Sequence, residues 1–274
     1  MQIRHVTIIL AGWLAPMLLV AGCASSEPKL ADPGPDPLRV GITPDYPPVV
    51  FKQDGQVVGI EADFARRLGE RLGRPVRFVE LSWDEQVSAL LAGQTDIIMS
   101  GLSITPARQV RISFTQPYLK SGLLAMMRRG DAQRFASLTR IDARDVVVGA
   151  PRGTTADAFM QKRFSNARRI GLQSARDAPS LLMRHEIDVF IHDAPSVVWL
   201  VSENEATLTA RWALLNQEQL AWGLRRGDQA LLESANAALE TWRQDGTLDE
   251  VLRYWLPYLD SLQEPRERPS DVAR

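Results

Sequence analysis

The most chemically suggestive stretch of this 274-residue chain runs from a short apolar segment into a helix start that contains an arginine. Residues 97–99 are predicted to form a buried strand, and residues 100–108 follow it directly. Thr105 suits an N-cap and Pro106 the first helical position, so free backbone N–H groups should gather at the positive end of a helix. Arg108 adds a planar, two-pronged donor. The stretch suits carboxylate binding. The alternative is an ordinary strand–helix turn with a surface arginine, which would have the same sequence pattern.

The segments that must position this stretch alternate between predicted strands and helices. The predicted elements of the first half are strands over 38–42, 76–81 and 96–99 and helices over 61–73 and 84–92. In the first helix, Phe64, Leu68 and Leu72 recur every four residues and define one apolar face. This alternation predicts an α/β fold.

The second half of the chain partly repeats the first. A strand over 146–150, a helix over 178–185 and a strand that ends at Asp193 mirror the earlier order. Any α/β protein shows some recurrence, but two similar lobes are the prediction. Strands near 119–127 and 219–224 would cross between the lobes and form a hinge, and ligands of open α/β lobes bind at the carboxyl ends of strands.

The predicted domain boundaries follow from these crossovers. Lobe 1 takes residues 38–123 together with 220–260, and lobe 2 takes residues 124–219. The tail over 261–274 is polar and proline-containing and is predicted to be disordered.

The N-terminal residues are typical of an exported lipoprotein. Residues 1–22 have the proportions of a signal peptide, with Arg4 ahead of a mostly apolar run. They end in Val-Ala-Gly before Cys23, which looks like a lipobox whose cysteine is lipidated. Cys23 is the only cysteine, so it cannot form an internal disulfide, although a core cysteine is the alternative. Residues 23–37 would then be a lipidated N-terminus with a flexible tether.

Composition places few further limits on function. The chain is 45% hydrophobic and 24% charged with a net charge of −1, which is ordinary for a globular protein and implies no strong basic face. Nucleic acid is therefore disfavoured as the main partner.

Four segments carry a resemblance to a known family: residues 45–48, 58–65, 96–108 and 114–118. In their order and spacing, the chain from about Leu38 to Tyr258 resembles the extracytoplasmic solute-binding proteins of the amino-acid class, family 3, of ABC importers. The resemblance implies a type II periplasmic-binding-protein fold, a two-lobe clamshell with two crossover hinge strands. It also implies a small-molecule ligand and permease subunits as partners, with no cofactor and no metal.

The resemblance further implies which residues bind the ligand's carboxylate. Arg108 would clamp it, helped by the Ser103 hydroxyl and by backbone groups around Gly101. In the second lobe, Thr154 and Thr155 would supply hydroxyl or N–H donors across the cleft, although these threonines could simply cap their helix.

The remaining site residues implied by the resemblance bind the rest of an amino acid. Asp193 would pair with the α-ammonium, because an ammonium entering a dry cleft requires an anion. Tyr46 and Trp83 would form aromatic walls around the ligand side chain, and ordinary core packing is the alternative. The acid that many relatives carry three positions before Tyr46 is replaced here by Thr43, so the side-chain contact should differ.

Three functions remain open on these grounds. The first is a binding protein, lipid-anchored through Cys23 on the periplasmic or cell-surface face of a bacterial membrane, that delivers an amino acid to an ABC permease. The second is a ligand-sensing subunit for a separate receptor. The third is an enzyme similar to cyclohexadienyl dehydratase. We expect no catalysis, because no acid could be identified that would face a leaving hydroxyl.

Overall fold

Two five-stranded sheets dominate residues 35–258, the part of the chain that the computed structural model describes. The predicted signal peptide over 1–22, Cys23, all but the last three residues of the tether and the tail over 261–274 lie outside the described residues. Among the described residues, no helix combines the length and apolar character that crossing a membrane requires.

The strands are short and distributed along the whole described chain. They are β1 (Leu38–Ile42), β2 (Asp45–Tyr46), β3 (Val50–Gln53), β4 (Gln56–Val58), β5 (Val76–Glu80), β6 (Ile97–Ile98), β7 (Ser113–Phe114), β8 (Leu119–Ser121), β9 (Leu123–Arg128), β10 (Val147–Pro151), β11 (Arg168–Leu172), β12 (Val189–Asp193), β13 (Leu208–Arg211), β14 (Glu218–Leu220) and β15 (Gly223–Leu224).

Helices follow most of the parallel strands, as the alternating pattern predicts. They are α1 (Ile60–Leu72), α2 (Gln86–Leu91), α3 (Pro106–Gln109), α4 (Leu138–Ile141), α5 (Thr155–Arg163), α6 (Ala178–Met183), α7 (Ala194–Glu203), α8 (Gln229–Gln244) and α9 (Thr247–Trp255). Single 3₁₀ turns cover Trp83–Glu85, Arg129–Asp131 and Ala175–Asp177.

The two five-stranded sheets have matching designs. The first has the order β5-β1-β6-β15-β7, in which β1 runs parallel to β5 and β6 while β15 is antiparallel. The second has the order β11-β10-β12-β9-β13, in which β10 runs parallel to β11 and β12 while β9 is antiparallel. Each sheet packs apolar side chains on both faces. The sequence repeat therefore corresponds to two lobes of the same topology.

An aspartate directly before β6 or β12 occupies the same place in each lobe; Asp96 is buried and Asp188 is half-buried. In lobe 1, Asp96 accepts from the backbone N–H of Arg39 at 3.0 Å and from its guanidinium at 2.5 Å. In lobe 2, Asp188 accepts from the backbone N–H of Val147 at 2.9 Å and from the guanidinium of Arg128 at 2.8 Å. Both carboxylates tie the first residues of one parallel strand to its neighbour.

The chain passes between the lobes along a pair of antiparallel strands. β8 pairs with β14 in a separate two-stranded ladder, in which Leu119 lies opposite Leu220 and Ser121 opposite Glu218. After the return crossing, α8 and α9 pack into the core of the first sheet. The predicted α/β, two-lobe fold with two crossover strands is confirmed.

The helix start that opens the site is shorter than a regular helix. Thr105 caps α3 by accepting from the N–H of Arg108 at 3.2 Å, and Pro106 is the first helical residue, as the sequence predicts. The helix ends after four residues, so Arg108 lies in its only turn. Few aligned peptide dipoles therefore support an anion here, and the arginine must supply most of the positive charge.

Candidate functional site

One cavity of about 400 Å³ lies between the lobes and brings the predicted site residues together. The sequence-predicted residues that line it are Tyr46, Trp83, Gly101, Ser103, Arg108, Thr154, Thr155 and Asp193. They come from both sheets, at the loops that follow β1, β5, β6, β10 and β12. The cavity thus lies at the carboxyl ends of parallel strands, where open α/β folds bind ligands.

Arg108 is the cation of this cavity with the least access to solvent. Its guanidinium donates to the carbonyl oxygen of Ser103 at 2.9 Å and lies 5.2 Å from the ring of Trp83, within cation–π distance. Burial lowers the pKa of Arg108, whereas the charges of Asp193 and Glu218 raise it. Among residues 35–258 the guanidinium makes this one hydrogen bond, so its other N–H donors are available to an anion.

Asp193 lies in the cavity wall at the end of β12 and is buried together with its neighbour His192. Its Oδ2 accepts a hydrogen bond from the hydroxyl of Tyr46, which belongs to the other lobe, while its Oδ1 has no hydrogen-bond partner among the described residues. Burial and the charge of Glu218 raise the pKa of Asp193 to about 7, although Tyr46 and Arg108 act in the opposite direction. A cationic partner would therefore stabilise the ionised form of this carboxylate.

Tyr46 also stacks on His192, a residue that no sequence motif singled out. The two ring centroids are 5.0 Å apart at an interplanar angle of 21°. Burial lowers the pKa of His192 to about 3, so its imidazole is neutral. Tyr46 is therefore packed and hydrogen-bonded at once, and it joins the lobes as well as lining the cavity.

Gly101 shapes the cavity through its backbone. Its φ is +67°, and a Cβ at this position would collide with the ring of Tyr46, so both the turn and the packing require glycine. Its N–H donates to Oε2 of the buried Glu61 at 2.6 Å. Because this N–H donates to a side chain of lobe 1, it is not available to a ligand carboxylate.

Ser103 and Thr155 reach the cavity from opposite lobes and meet at one carboxylate. The hydroxyl of Ser103 donates to Oε2 of Glu218 at 2.6 Å, and the hydroxyl of Thr155 donates to the same oxygen at 2.9 Å. Glu218 lies on the crossover strand β14. The two hydroxyls predicted to bind a ligand carboxylate are thus engaged by a carboxylate of the protein itself.

Thr154 and Trp83 complete the set. Thr154 caps α5 by accepting from the N–H of Asp157 at 3.2 Å, and Asp157 in turn accepts from the N–H of Gly153 at 3.0 Å, which confirms the predicted capping. Trp83 donates from Nε1 to the carbonyl oxygen of Gly153 at 3.0 Å. Because Trp83 belongs to lobe 1 and Gly153 to lobe 2, this is a further contact between the lobes.

Sequence reasoning missed three residues of this region: Glu61, His192 and Glu218. Glu61 precedes Phe64 by three residues and so lies on the apolar face of α1, where an unpaired acid is unusual. His192 shares a face of a fully buried strand with Phe190. Glu218 is a charged residue at a predicted hinge crossing. Glu61 and His192 could have been found from the sequence, because each is an ionisable residue at a position that the apolar pattern predicts to be buried.

Residues 35–258 contain no group of three or more His, Cys, Asp or Glu side chains arranged to hold a metal ion. Arg108 and Asp193 line the cavity together with the ionisable side chains of Asp45, Asp84 and Arg152.

Comparison with known proteins identifies a family for this chain. Residues 38–258 match the family model of the bacterial extracellular solute-binding proteins, family 3. The chain is 26% identical over 222 residues to the L-cystine-binding protein TcyJ of Escherichia coli strain K12, a match that covers 80% of this chain and 82% of the relative.

Two solved structures illustrate the likeness of fold. An ancestral amino-acid-binding protein, described as a precursor of cyclohexadienyl dehydratase, matches with a TM-score of 0.76 and 30% identity, covering 80% of this chain and 94% of the other. A putative ABC-transporter binding component from Wolinella succinogenes, complexed with lysine, matches with a TM-score of 0.77 and 27% identity, covering 83% and 98% of the two chains.

Proposed function

Because the chain belongs to the bacterial extracellular solute-binding proteins of family 3, we propose that it captures a small amino-acid-like solute outside the cytoplasm and delivers it to an ABC permease. The observation that carries the proposal is the pairing of opposite charges in one interlobe cavity. Arg108 and Asp193 both line it, and each influences the pKa of the other. An amino acid carries the complementary carboxylate and ammonium.

Binding would proceed by closure of the lobes on the ligand. Arg108 belongs to lobe 1 and Asp193 to lobe 2, so a ligand held by both makes more contacts when the lobes are together. A ligand with such differential contacts shifts the population toward the closed form. Tyr46 and Trp83 would flank the ligand's side chain. Thr154 and Thr155 lie at the start of α5, whose backbone N–H groups would contribute the donors from lobe 2.

A thermal-shift screen tests the proposal directly. The purified mature domain is screened against the twenty common amino acids and small carboxylates, and hits are followed by calorimetry. We expect at least one amino acid to raise the melting temperature and to bind with micromolar Kd, about −8 kcal/mol. If none of them binds, the proposed function is wrong.

Lipid anchoring is the second part of the proposal. It is supported by the apolar run over residues 6–20 and by the single cysteine, Cys23, at its end. Expression of Cys23→Ser in a bacterial host supplied with a labelled fatty acid should give protein that carries no label and that leaves the membrane fraction or stays unprocessed. Unchanged lipid labelling of this variant would remove the anchoring proposal and leave solute binding intact.

Delivery to a permease is favoured over the two alternatives. Arginine, lysine and cystine appear in the names of binding proteins similar to this chain, which supports amino-acid transport. A sensing role would show as ligand-dependent binding to a receptor instead of stimulation of permease ATPase activity in reconstituted membranes.

The enzyme alternative has its own check, because one structural neighbour is described as a precursor of a dehydratase. We expect incubation with prephenate or arogenate to yield no aromatic product. Appearance of phenylpyruvate or phenylalanine at a rate above that of an Asp193→Asn variant would overturn the non-enzyme assignment.

A further inference from the structure

Glu218 places a fixed carboxylate between the lobes, beside the proposed ligand-binding groups. Its Oε2 accepts from Ser103 of lobe 1 and from Thr155 of lobe 2, and its Oε1 accepts from Nδ2 of Asn216 at 2.7 Å. Asn216 is held in turn, because its Oδ1 accepts from the N–H of Leu123 at 2.8 Å. Three donors from three parts of the chain therefore hold this side chain in place.

The charges around the cavity do not cancel. Asp45 is faced by the guanidinium of Arg176, and Asp84 and Arg152 are exposed, where water and salt screen them. The half-buried Arg108 then stands against two acids, Asp193 and Glu218. These three groups lie close enough for each acid to affect the pKa of the arginine.

The neighbouring polar side chains do not restore the balance. Tyr46 and His192 are buried and neutral, and both face Asp193. Burial raises the pKa of Glu61 to about 8, so at neutral pH this acid is mostly protonated and adds little negative charge. Arg108 thus stands against Glu218, beside the cavity, and against Asp193, which a pKa of about 7 leaves partly ionised at neutral pH. Lys120 and Lys162, which line the neighbouring pocket with Glu218, are exposed, where water and salt screen their charge.

The hydroxyl groups of Ser103 and Thr155 also favour a cationic ligand over an anionic one. Ser103 and Thr155 each have one O–H proton, and both protons are directed at Glu218. What these two oxygens can offer a ligand is lone pairs. They therefore suit N–H donors better than they suit a second carboxylate.

We propose that Glu218 is a specificity-determining residue that makes the cleft prefer amino acids with net positive charge. The inference rests on the proposed function of amino-acid capture. A zwitterion brings a carboxylate and an ammonium that offset each other, so the excess negative charge of the cleft remains. A ligand with a guanidinium or a second ammonium balances it, and an unbalanced charge costs most where water is excluded.

Two matched ligand pairs test this preference on the wild-type protein by calorimetry at neutral pH. Arginine and citrulline have nearly the same shape but differ in charge, as do lysine and 2-aminoheptanoic acid, in which a methyl group replaces the terminal ammonium. We expect the cationic member of at least one pair to bind about tenfold tighter or more, which is the effect of roughly 1.4 kcal/mol. Equal or tighter binding of the neutral member in both pairs would overturn the inference.

The variant Glu218→Gln tests the residue itself. Glutamine is isosteric and keeps an oxygen that can accept from Ser103 and Thr155, but it has no charge. The preference for the cationic ligand should fall several-fold toward unity. Glu70→Gln, a change on the exposed side of α1, is the matched control and should keep the wild-type preference.

The outcomes separate this inference from the proposed function. A Glu218→Gln protein that melts cooperatively and keeps the full preference would remove Glu218 from the explanation. If that variant does not fold, the two wild-type pairs still decide the ligand class. Binding of neutral amino acids without charge preference refutes only this inference, whereas failure of every amino acid to bind refutes the proposed function as well.

Discussion

At the scale of single residues, charge and burial set what the cleft can bind. Arg108 is the half-buried cation of its wall, and among the described residues its guanidinium hydrogen-bonds to the Ser103 carbonyl and keeps other N–H donors for a ligand. Asp193 opposes it from the other lobe with one carboxylate oxygen that has no partner among the described residues. This pair is the basis for the first prediction.

Arg108→Ala should weaken binding of the cognate amino acid by about 3 kcal/mol, or two orders of magnitude in Kd, because a desolvated carboxylate would lose its charge-assisted donors. Calorimetry measures the change. Arg111→Ala, which removes an exposed arginine one turn further on, is the control and should bind like wild type. Full affinity in Arg108→Ala would mean that the carboxylate is bound elsewhere.

Glu61 provides a prediction on pH. Burial raises the pKa of Glu61 to about 8, even though the hydrogen bond from Gly101 and the nearby Tyr118 hydroxyl lower it. In the unfolded chain this group ionises near its ordinary pKa of 4.5. Between these values the folded state binds more protons, so the contribution of Glu61 to stability is present in acid and is lost as the pH rises toward 8.

Urea unfolding between pH 5 and pH 8 measures this effect. The free energy of unfolding of the wild type should fall relative to that of Glu61→Gln by roughly 1 kcal/mol per pH unit, because glutamine cannot ionise. Glu70→Gln, on the exposed side of the same helix, should follow the wild-type curve. Parallel curves for wild type and Glu61→Gln would show that Glu61 ionises without cost in the fold.

At the scale of elements, the two aspartates before β6 and β12 explain how each sheet holds its register. Asp96 accepts from Arg39, and also from Arg74 at 3.1 Å, while Arg225 lies 3.6 Å away. These arginines belong to β1, to the loop before β5 and to the segment after β15. One carboxylate, directly before β6, therefore joins the ends of four neighbouring strands of the first sheet, β5, β1, β6 and β15.

Asp96→Asn should lower the free energy of unfolding at pH 7 by about 2 kcal/mol, because three partly exposed arginines lose a common anion. Burial alone would raise the pKa of Asp96, but its hydrogen bonds and ion pairs lower the pKa overall. The stabilisation is therefore present above its ordinary pKa of 3.8 and is lost as the pH falls.

Urea titrations of both proteins at pH 7 and near pH 3 measure this difference, which should shrink in acid. Asp54→Asn is the control, because Asp54 is an exposed turn residue with positive φ, a conformation that asparagine tolerates. A difference that grows in acid would contradict the ion-pair explanation.

At the scale of the whole molecule, three sets of contacts bridge the lobes around the cavity. Tyr46 donates to Asp193, Trp83 donates to the carbonyl of Gly153, and Glu218 accepts from both lobes. The only covalent links between the lobes among the described residues run through the crossover segments around β8 and β14. Side-chain contacts of this kind can therefore set the balance between open and closed forms.

Tyr46→Phe should move that balance toward the open form by about tenfold without ligand, because Asp193 loses a donor that reaches it from the other lobe. Small-angle scattering should give a larger radius of gyration for the ligand-free variant and the same value as wild type at saturating ligand. Tyr254→Phe, at an exposed tyrosine, should leave both values unchanged. An unchanged radius for Tyr46→Phe would show that this hydrogen bond does not hold the lobes together.

The sequence alone determined the architecture, since local patterns carry the information. Helix α1 is fixed by its apolar stripe, and α3 by Thr105 and Pro106. The repeated order of strand, helix, acid and strand predicts two lobes of one topology, and the motif residues around Arg108 predict where the cavity lies. The domain boundaries and the ligand-binding roles of the eight site residues stay predictions.

Only the tertiary structure decided which group each side chain meets. Glu218 lies 115 positions after Ser103 and 63 after Thr155, and Glu61 lies 40 before Gly101, so no spacing rule links them. Whether a hydroxyl proton faces a ligand or a carboxylate of the protein depends on how two lobes meet, and local sequence does not encode that. The charge balance of the cleft, and with it the preference we infer, follows from those distant contacts.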